Sequence, residues 1–286
     1  QFQNKPSVMR LWTHEALRVF GDRLTDDTDR QWMCDHCSAM CKEVFKCDFQ
    51  SEFDHIRPAD ETETGYGTLR RLFWGDYMTP ADEDERPYAE VPDLQQLQER
   101  TEEALSDFNS ASKKPMELVM FMFAIEHVSR IARVLRMPGG NALLVGVGGS
   151  GRQSLSILAT EMAGYQLFRI EITKSYGMTE WREDLKTVLI EAGAGDRPLV
   201  FLFSDTQISM ESFVEDINNM LNAGEVPNIF PSDERVAICE KVRPFAKEQF
   251  GRAAGDMSPL QLYAYFIQRV KQYLHIILAF SPIGSA

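Results

Sequence analysis

Residues 146–154 read GVGGSGRQS, with four glycines in the first six positions. That composition suits a loop whose backbone must approach a phosphate group. Two patterns overlap on it. Read as G-x-G-x-x-G, it is the dinucleotide fingerprint carried by Gly146, Gly148 and Gly151. Read as G-x-x-x-x-G followed by a basic residue, it is nearly a Walker A loop, with Arg152 where lysine is usual and Gln153 where serine or threonine is usual. In either case Gly146, Gly148, Gly149 and Gly151 let the chain turn its N–H groups inward, where a side chain would block the anion. The interleaved Val147 and Ser150 then serve through the same backbone, and Ser154 lies just inside the helix that follows. A helix starting near Arg152 adds its positive end, and Arg152 adds a full charge on a planar fork, larger and less mobile than an ammonium.

The dinucleotide reading asks for an acid about 20 positions on, at the end of the next strand, to bind ribose hydroxyls. Glu171 stands 20 residues past Gly151, so spacing alone admits it. Three features favour a nucleoside-triphosphate loop. The loop is followed at once by a basic residue and by the hydroxyls of Ser154 and Ser156. LVFLFS is an apolar strand pattern ending in Asp205, 54 residues past Gly151, which is the Walker B arrangement of a carboxylate that approaches Mg2+. A further strand and helix intervene between the two motifs, as in the P-loop ATPases with an additional strand. A glycine-rich turn without a ligand is the third reading.

The elements that must hold these residues follow from hydrophobic period and punctuation. From 116, MELVMFMFAIEHVSRIARVLR predicts a long apolar helix stopped by Pro138, Gly139 and Gly140. Buried strands are predicted at 142–147, 165–172, 198–205 and 274–281, alternating with helices stopped at Gly164, Gly193 and Gly195, and Gly224. Ser212 and Glu215 suggest a capping box, and 225–260 reads as loop and short helix. Continuous apolar strands alternating with helices imply an α/β fold, a parallel sheet covered on both faces. The earlier part differs. Residues 9–50 carry two helical patterns, the second over about 29–47 with helix-start chemistry from TDDTDRQW, and 50–92 is acidic and rich in Pro and turns. It reads as a linker or crossing segment, followed by a polar helix with Leu94, Leu97 and Leu105 as its apolar contacts.

The formal charge of −13 argues against sequence-independent nucleic-acid binding, which needs a basic face. No apolar run reaches the length of a membrane span, so neither nucleic acid nor membrane is an expected partner. Five cysteines without a secretory signal suggest reduced thiols in the cytoplasm. Cys34, Cys37 and Cys41 fall on one helix face, with Cys47 and His36 nearby. That pattern suits a packing face, with a metal site as the alternative. The chain begins without Met and ends at SPIGSA after an apolar run, so a piece of a longer protein is expected.

Together NALLVGVGGSGRQSLSILA, WREDLKTVLIEAG, FLFSDTQI, FVEDINNMLNAGEVPNIFPSDE and LHIILAFSPIG resemble the fourth AAA+ module of axonemal dynein heavy chains. RLWTHEALRVFGDRLTDDTDR resembles the end of the preceding module. The resemblance implies a helical end of that module over 1–50, a linker with a polar helix over 51–115, and a P-loop AAA+ core over 116–286 lacking its last strand and lid. It implies ATP or ADP as cofactor, with Mg2+ a candidate. It also implies neighbouring AAA+ modules as partners and, through the full-length motor, microtubules and dynein intermediate and light chains. The place implied is the cytoskeleton of the cilium or flagellum axoneme. Carried onto this chain, 146–154 is the phosphate loop and Asp205 the Walker B acid. Ser281 takes the first-sensor position, Leu118 and Val119 lie near the adenine, and Asp205 with Gln153 are the metal ligands.

The departures bear on activity. AAA+ ATPases orient the attacking water with a Glu after the Walker B acid; here Thr206 and then Gln207 follow, and a neutral hydroxyl cannot take the proton as a carboxylate can. Gln153 replaces the metal-holding hydroxyl and Arg152 replaces lysine. The expected module holds ATP or ADP and hydrolyses it very slowly or not at all, in a regulatory or structural role. A slow genuine ATPase using Gln207 or a neighbouring module's residue, and an empty interaction scaffold, are the alternatives. Glu211, Glu215 and Asp216 are candidate substitute carboxylates or, alternatively, a solvated helix face.

Overall fold

The computed structural model describes residues 4–83 and 85–282. The terminal residues on which the expectation of a longer protein rests lie partly outside that span. The chain forms two compact units, Gln1–Arg130 and Ile131–Ala286. Among the described residues no helix is long and apolar enough to cross a membrane.

In the first unit, α1 (Lys5–Val19) starts at Asn4, whose side chain accepts the Ser7 N–H, and carries Pro in its first turn. Helix α2 (Asp27–Met40) starts where TDDTDRQW places it, with Asp26 accepting the Asp29 N–H at 2.9 Å. A wider turn continues it to Phe45, and Lys46 closes it in the left-handed region, φ 53°. Cys34, Cys37 and Cys41 are buried with Met9, Leu17 and Phe53. Burial pushes the Cys34 and Cys37 thiols up to about 12, so they act as small apolar side chains rather than thiolates.

Expected as a crossing segment, 51–92 is instead part of this core. After α3 (Phe49–Glu52) come α4 (Tyr66–Leu69) and a short antiparallel pair, β1 (Trp74–Gly75) with β2 (Ala89–Glu90). Phe53, Ile56, Leu69, Leu72 and Trp74 pack against α1 and α2. The acidic, Pro-rich turns hide a scatter of large apolar residues too irregular to show a period. Helix α5 (Leu94–Ala111) buries Leu97 and Leu105. Asn109 then bonds both the N–H and the C=O of Met116, at 2.7 and 2.9 Å. That clasp holds the chain extended, and α6 (Met122–Arg136) starts later than the 116 expected. Leu118 and Val119 therefore lie on the extended approach rather than on the helix. Leu118 is half-buried and Val119 exposed.

The second unit is a parallel sheet flanked by helices. Its elements in order are β3 (Ala142–Val145), α7 (Arg152–Ala163), β4 (Gln166–Arg169), α8 (Met178–Ala194), β5 (Leu199–Ser204), α9 (Glu211–Ala223), α10 (Ser232–Phe250), α11 (Pro259–Tyr273) and β6 (Leu274–Phe280). The strands run in the order β3-β6-β5-β4, all parallel. Every residue of β5 is buried. Not all four strands are buried as expected, because β3 and β4 are at the edges, and Leu143 and Val145 are exposed.

Two local expectations fail for physical reasons. The stretch 225–260 holds the 19-residue α10, which contains Pro244. Proline usually breaks a helix, but Ile238, Cys239, Val242 and Ala246 bury one side of α10 in the core, and that burial outweighs the lost bond. Helix α9 lacks the capping box at Ser212; its N-cap is Met210, and the Ser212 hydroxyl meets the Met178 sulfur instead.

His275 in β6 is buried at 2% exposure, with Nδ1 2.8 Å from the Gly140 carbonyl and its ring stacked on Tyr165. Burial lowers its pKa below the usual 6.5. A depressed histidine gives stability that is complete above 6.5 and is lost as pH falls from there through its folded value. Urea unfolding between pH 7 and 5.5 is expected to show an acid-side loss of stability from this group. His275→Gln should flatten that slope; an unchanged slope would count against it.

Candidate phosphate-binding site

The loop at 146–154 runs from the end of β3 to the start of α7. Its first amide, Gly146 N–H, donates to the Phe280 carbonyl at 3.1 Å, which seats it beside the tip of β6. A turn follows, with Ser150 N–H on the Val147 carbonyl at 3.2 Å. Gly149 and Gly151 have φ of 77° and 78°, a region that L side chains resist. At Gly148 an added Cβ would meet no atom within 4 Å, so the protein leaves this side of the loop open. Gly151 caps α7 with no side chain, leaving the first N–H groups of the helix for another acceptor. Val147, Gly148, Gly149 and Ser150 are all exposed.

Arg152 folds back over the loop. Its Nη2 donates to the Val147 carbonyl at 3.3 Å, while Nη1 is shielded from solvent and has no hydrogen-bond partner among the described residues. A guanidinium donor left unpaired this way suits an anion in the loop. Gln153 is exposed and Ser154 half-buried. Ser156 bonds its own helix, its hydroxyl on the Arg152 carbonyl at 2.7 Å.

The tips of β5 and β6 meet beside this loop. Asp205 Oδ2 accepts the Ser281 N–H at 2.7 Å, and Oδ1 accepts the Thr206 N–H at 2.9 Å. Those bonds, with the nearby charge of Arg152, hold the Asp205 carboxyl below its usual range. The fold thus brings together Asp205, Thr206 and Ser281, with Arg152 in electrostatic reach. The Thr206 hydroxyl lies 2.9 Å from the Ser204 hydroxyl. Gln207 is held at both ends of its amide. Its Oε1 accepts from the Ser204 N–H and hydroxyl at 2.8 and 3.2 Å, and its Nε2 donates to the Ile170 carbonyl at 2.8 Å. Gln207 therefore ties the end of β5 to the end of β4. This role was missed, although Ser204 and Gln207 stand at capping-box spacing and could have signalled it.

The substitute carboxylates divide. Glu211 and Glu215 are exposed on α9, whereas Asp216 accepts the Trp181 indole N–H at 2.8 Å. Glu171 follows β4 at the far edge, and β6 and β5 separate that strand from β3. A dinucleotide fold needs its second strand beside its first, so this strand order rules out that reading.

The fit differs for the two expected ligands. Positive-φ glycines, an uncapped helix start and an orphaned guanidinium donor suit a nucleotide's phosphates. Mg2+ meets a poorer ligand set: Gln153, an exposed amide, takes the hydroxyl position, and each Asp205 oxygen already accepts a backbone N–H.

Comparison with known proteins agrees with this arrangement. Residues 116–286 match the family described as P-loop containing dynein motor region D4. The chain is 46% identical over 284 residues to human "Dynein axonemal heavy chain 3", covering 99% of this chain and 7% of that protein. It is 41% identical to mouse "Dynein axonemal heavy chain 1", over 99% of this chain and 6% of that protein. It is 42% identical to the Chlamydomonas reinhardtii "Dynein-1-beta heavy chain, flagellar inner arm I1 complex", over 100% of this chain and 6% of that protein. It thus spans about 7% or less of the length of these relatives. A glycine-rich loop and an acidic strand tip in this order, on this sheet, accord with that match, and the chain belongs to the family of P-loop containing dynein motor region D4.

Proposed function

We propose that the chain is a nucleotide-holding AAA+ module of an axonemal dynein motor ring, the fourth, preceded over 1–50 by the end of the third. Residues Gly146–Ser154 hold the phosphates of ATP or ADP, and Leu118 and Val119 flank the adenine. Its own hydrolysis is very slow or absent, and its role is regulatory or structural: a resident nucleotide fixes the geometry of its neighbours in the ring. Through the full-length heavy chain it serves minus-end-directed movement on microtubules, with intermediate and light chains, in the axoneme of cilia and flagella.

The observation that carries the inactive reading is the state of the turn after β5. Asp205 is engaged on both oxygens, and Thr206 offers only a hydroxyl. The Gln207 side chain is anchored at both ends, its Oε1 on Ser204 and its Nε2 on the Ile170 carbonyl, which holds it along the strand ends rather than loose for the water-orienting role of the slow-ATPase alternative. A general base must reach the proton that it takes, and this turn presents none. Arg152 and the loop amides bind and orient phosphate without supplying that base.

The test is nucleotide released by denaturing the purified protein, followed by single-turnover hydrolysis of loaded ATP. Bound ATP or ADP near one per chain, with turnover at least about a hundredfold below a working general-base site, is expected. Turnover at a working rate that Asp205→Ala abolishes would falsify the inactive reading. Protein that never retains nucleotide would favour the scaffold.

A further inference from the structure

A nucleotide's phosphates bring several negative charges into a small space. In ordinary P-loops a lysine and a Mg2+ share the work of balancing them, the metal held by the loop's Ser or Thr and the Walker B acid. Mg2+ demands oxygen ligands in near-octahedral geometry. Position 153 of this chain is an exposed Gln, and each Asp205 oxygen already accepts a backbone N–H, from Ser281 and from Thr206. A metal that drew Asp205 toward the loop would pull on the contact that joins the tips of β5 and β6.

Arg152 offers what the metal site lacks. Its charge is permanent, and its fork matches two phosphate oxygens at once. One arm, Nη2, is anchored on the Val147 carbonyl, so the guanidinium is already turned over the loop. The other, Nη1, is out of contact with solvent and without an acceptor among the described residues, an unfavourable state that a phosphate oxygen relieves. We propose that Arg152 replaces Mg2+ in this site, and that the loop at 146–154 binds ADP or ATP independently of divalent metal through Arg152 Nη1. This rests on the reading that the loop holds a nucleotide, and it goes further by naming what balances the charge.

The experiment is titration of the intact chain with a fluorescent ADP analogue, in excess Mg2+ and in EDTA. The two affinities are expected to agree within about twofold, and Arg152→Gln should weaken both by about 10- to 100-fold, the range of a charge-assisted hydrogen bond. The paired substitution Arg152→Lys with Gln153→Thr restores the ordinary ligands and is expected to create a metal dependence of about tenfold or more. Tenfold tighter binding of the unmodified chain in Mg2+ than in EDTA overturns the proposal while leaving the nucleotide site standing. A paired variant that binds equally well in EDTA also overturns it. Absence of binding in both buffers sinks the nucleotide reading and this inference with it.

Discussion

Trp181→Ala is expected to lower the unfolding free energy by about 3–5 kcal/mol, the range for removing a large aromatic from a closed core. Trp181 is fully buried near the start of α8. Its indole stacks on Phe213 with ring centres 4.1 Å apart, and it meets Phe203 at 5.6 Å. Its N–H holds Asp216 on α9. Alanine would leave a cavity under β5 and strand a carboxylate whose partner is gone. Trp181→Phe keeps much of the stack and loses only the hydrogen bond, so about 1–2 kcal/mol is expected. Denaturant midpoints with unchanged slope would measure both. Equal losses for the two variants would mean that Asp216, not the ring, dominates.

Arg269→Ala should cost about 3 kcal/mol or more, although the residue is remote from the loop. Arg269 is 9% exposed on α11. Its Nε donates to the Gly193 carbonyl at 2.8 Å and its Nη2 to the Gly195 carbonyl at 2.9 Å, closing the end of α8. The guanidinium also lies 4.0 Å from the Phe245 ring centre and 4.8 Å from that of Tyr273. α8 and α11 come together where Gly193 permits it; a Cβ there would fall 2.3 Å from Phe266. Arg269→Lys is not conservative at such a site, because one ammonium cannot span two carbonyls and stack between two rings. A loss of about 2 kcal/mol is expected for lysine, read by thermal and chemical unfolding. Lysine as stable as arginine would show that charge alone, not the fork, secures the helix end.

Much of the second unit is legible because its signals are local. Glycine stops, apolar strand runs and the glycine-rich loop sit where one stretch of chain decides the outcome, as at Gly164 and Gly224, both in the left-handed region. The acid at Asp205 is legible as the polar end of an apolar strand. What could not be read depends on distant partners. The Asn109 clasp on Met116 delays α6, and nothing in MELVMF itself announces it. Pro244 reads as a breaker until α10 is seen packed along one side. The exposure of β3 depends on strand order, which no single strand encodes. In 51–92 the turn residues are conspicuous, while Phe53, Leu69 and Trp74, which decide the packing, are not periodic. At the site, the resemblance placed Ser281 near the acid, but only the fold gives its amide to Asp205 and binds Gln207 to Ile170.

Two of the site's bonds come from one peptide link. The carbonyl of Phe280 receives Gly146, and the N–H of Ser281, the other half of the same planar group, reaches Asp205. A peptide plane does not flex internally. A tilt of this plane that keeps Gly146 on the Phe280 carbonyl would also carry the Ser281 N–H relative to Asp205. The glycine-rich loop and the acidic strand tip are thus yoked to one rigid group at the end of β6.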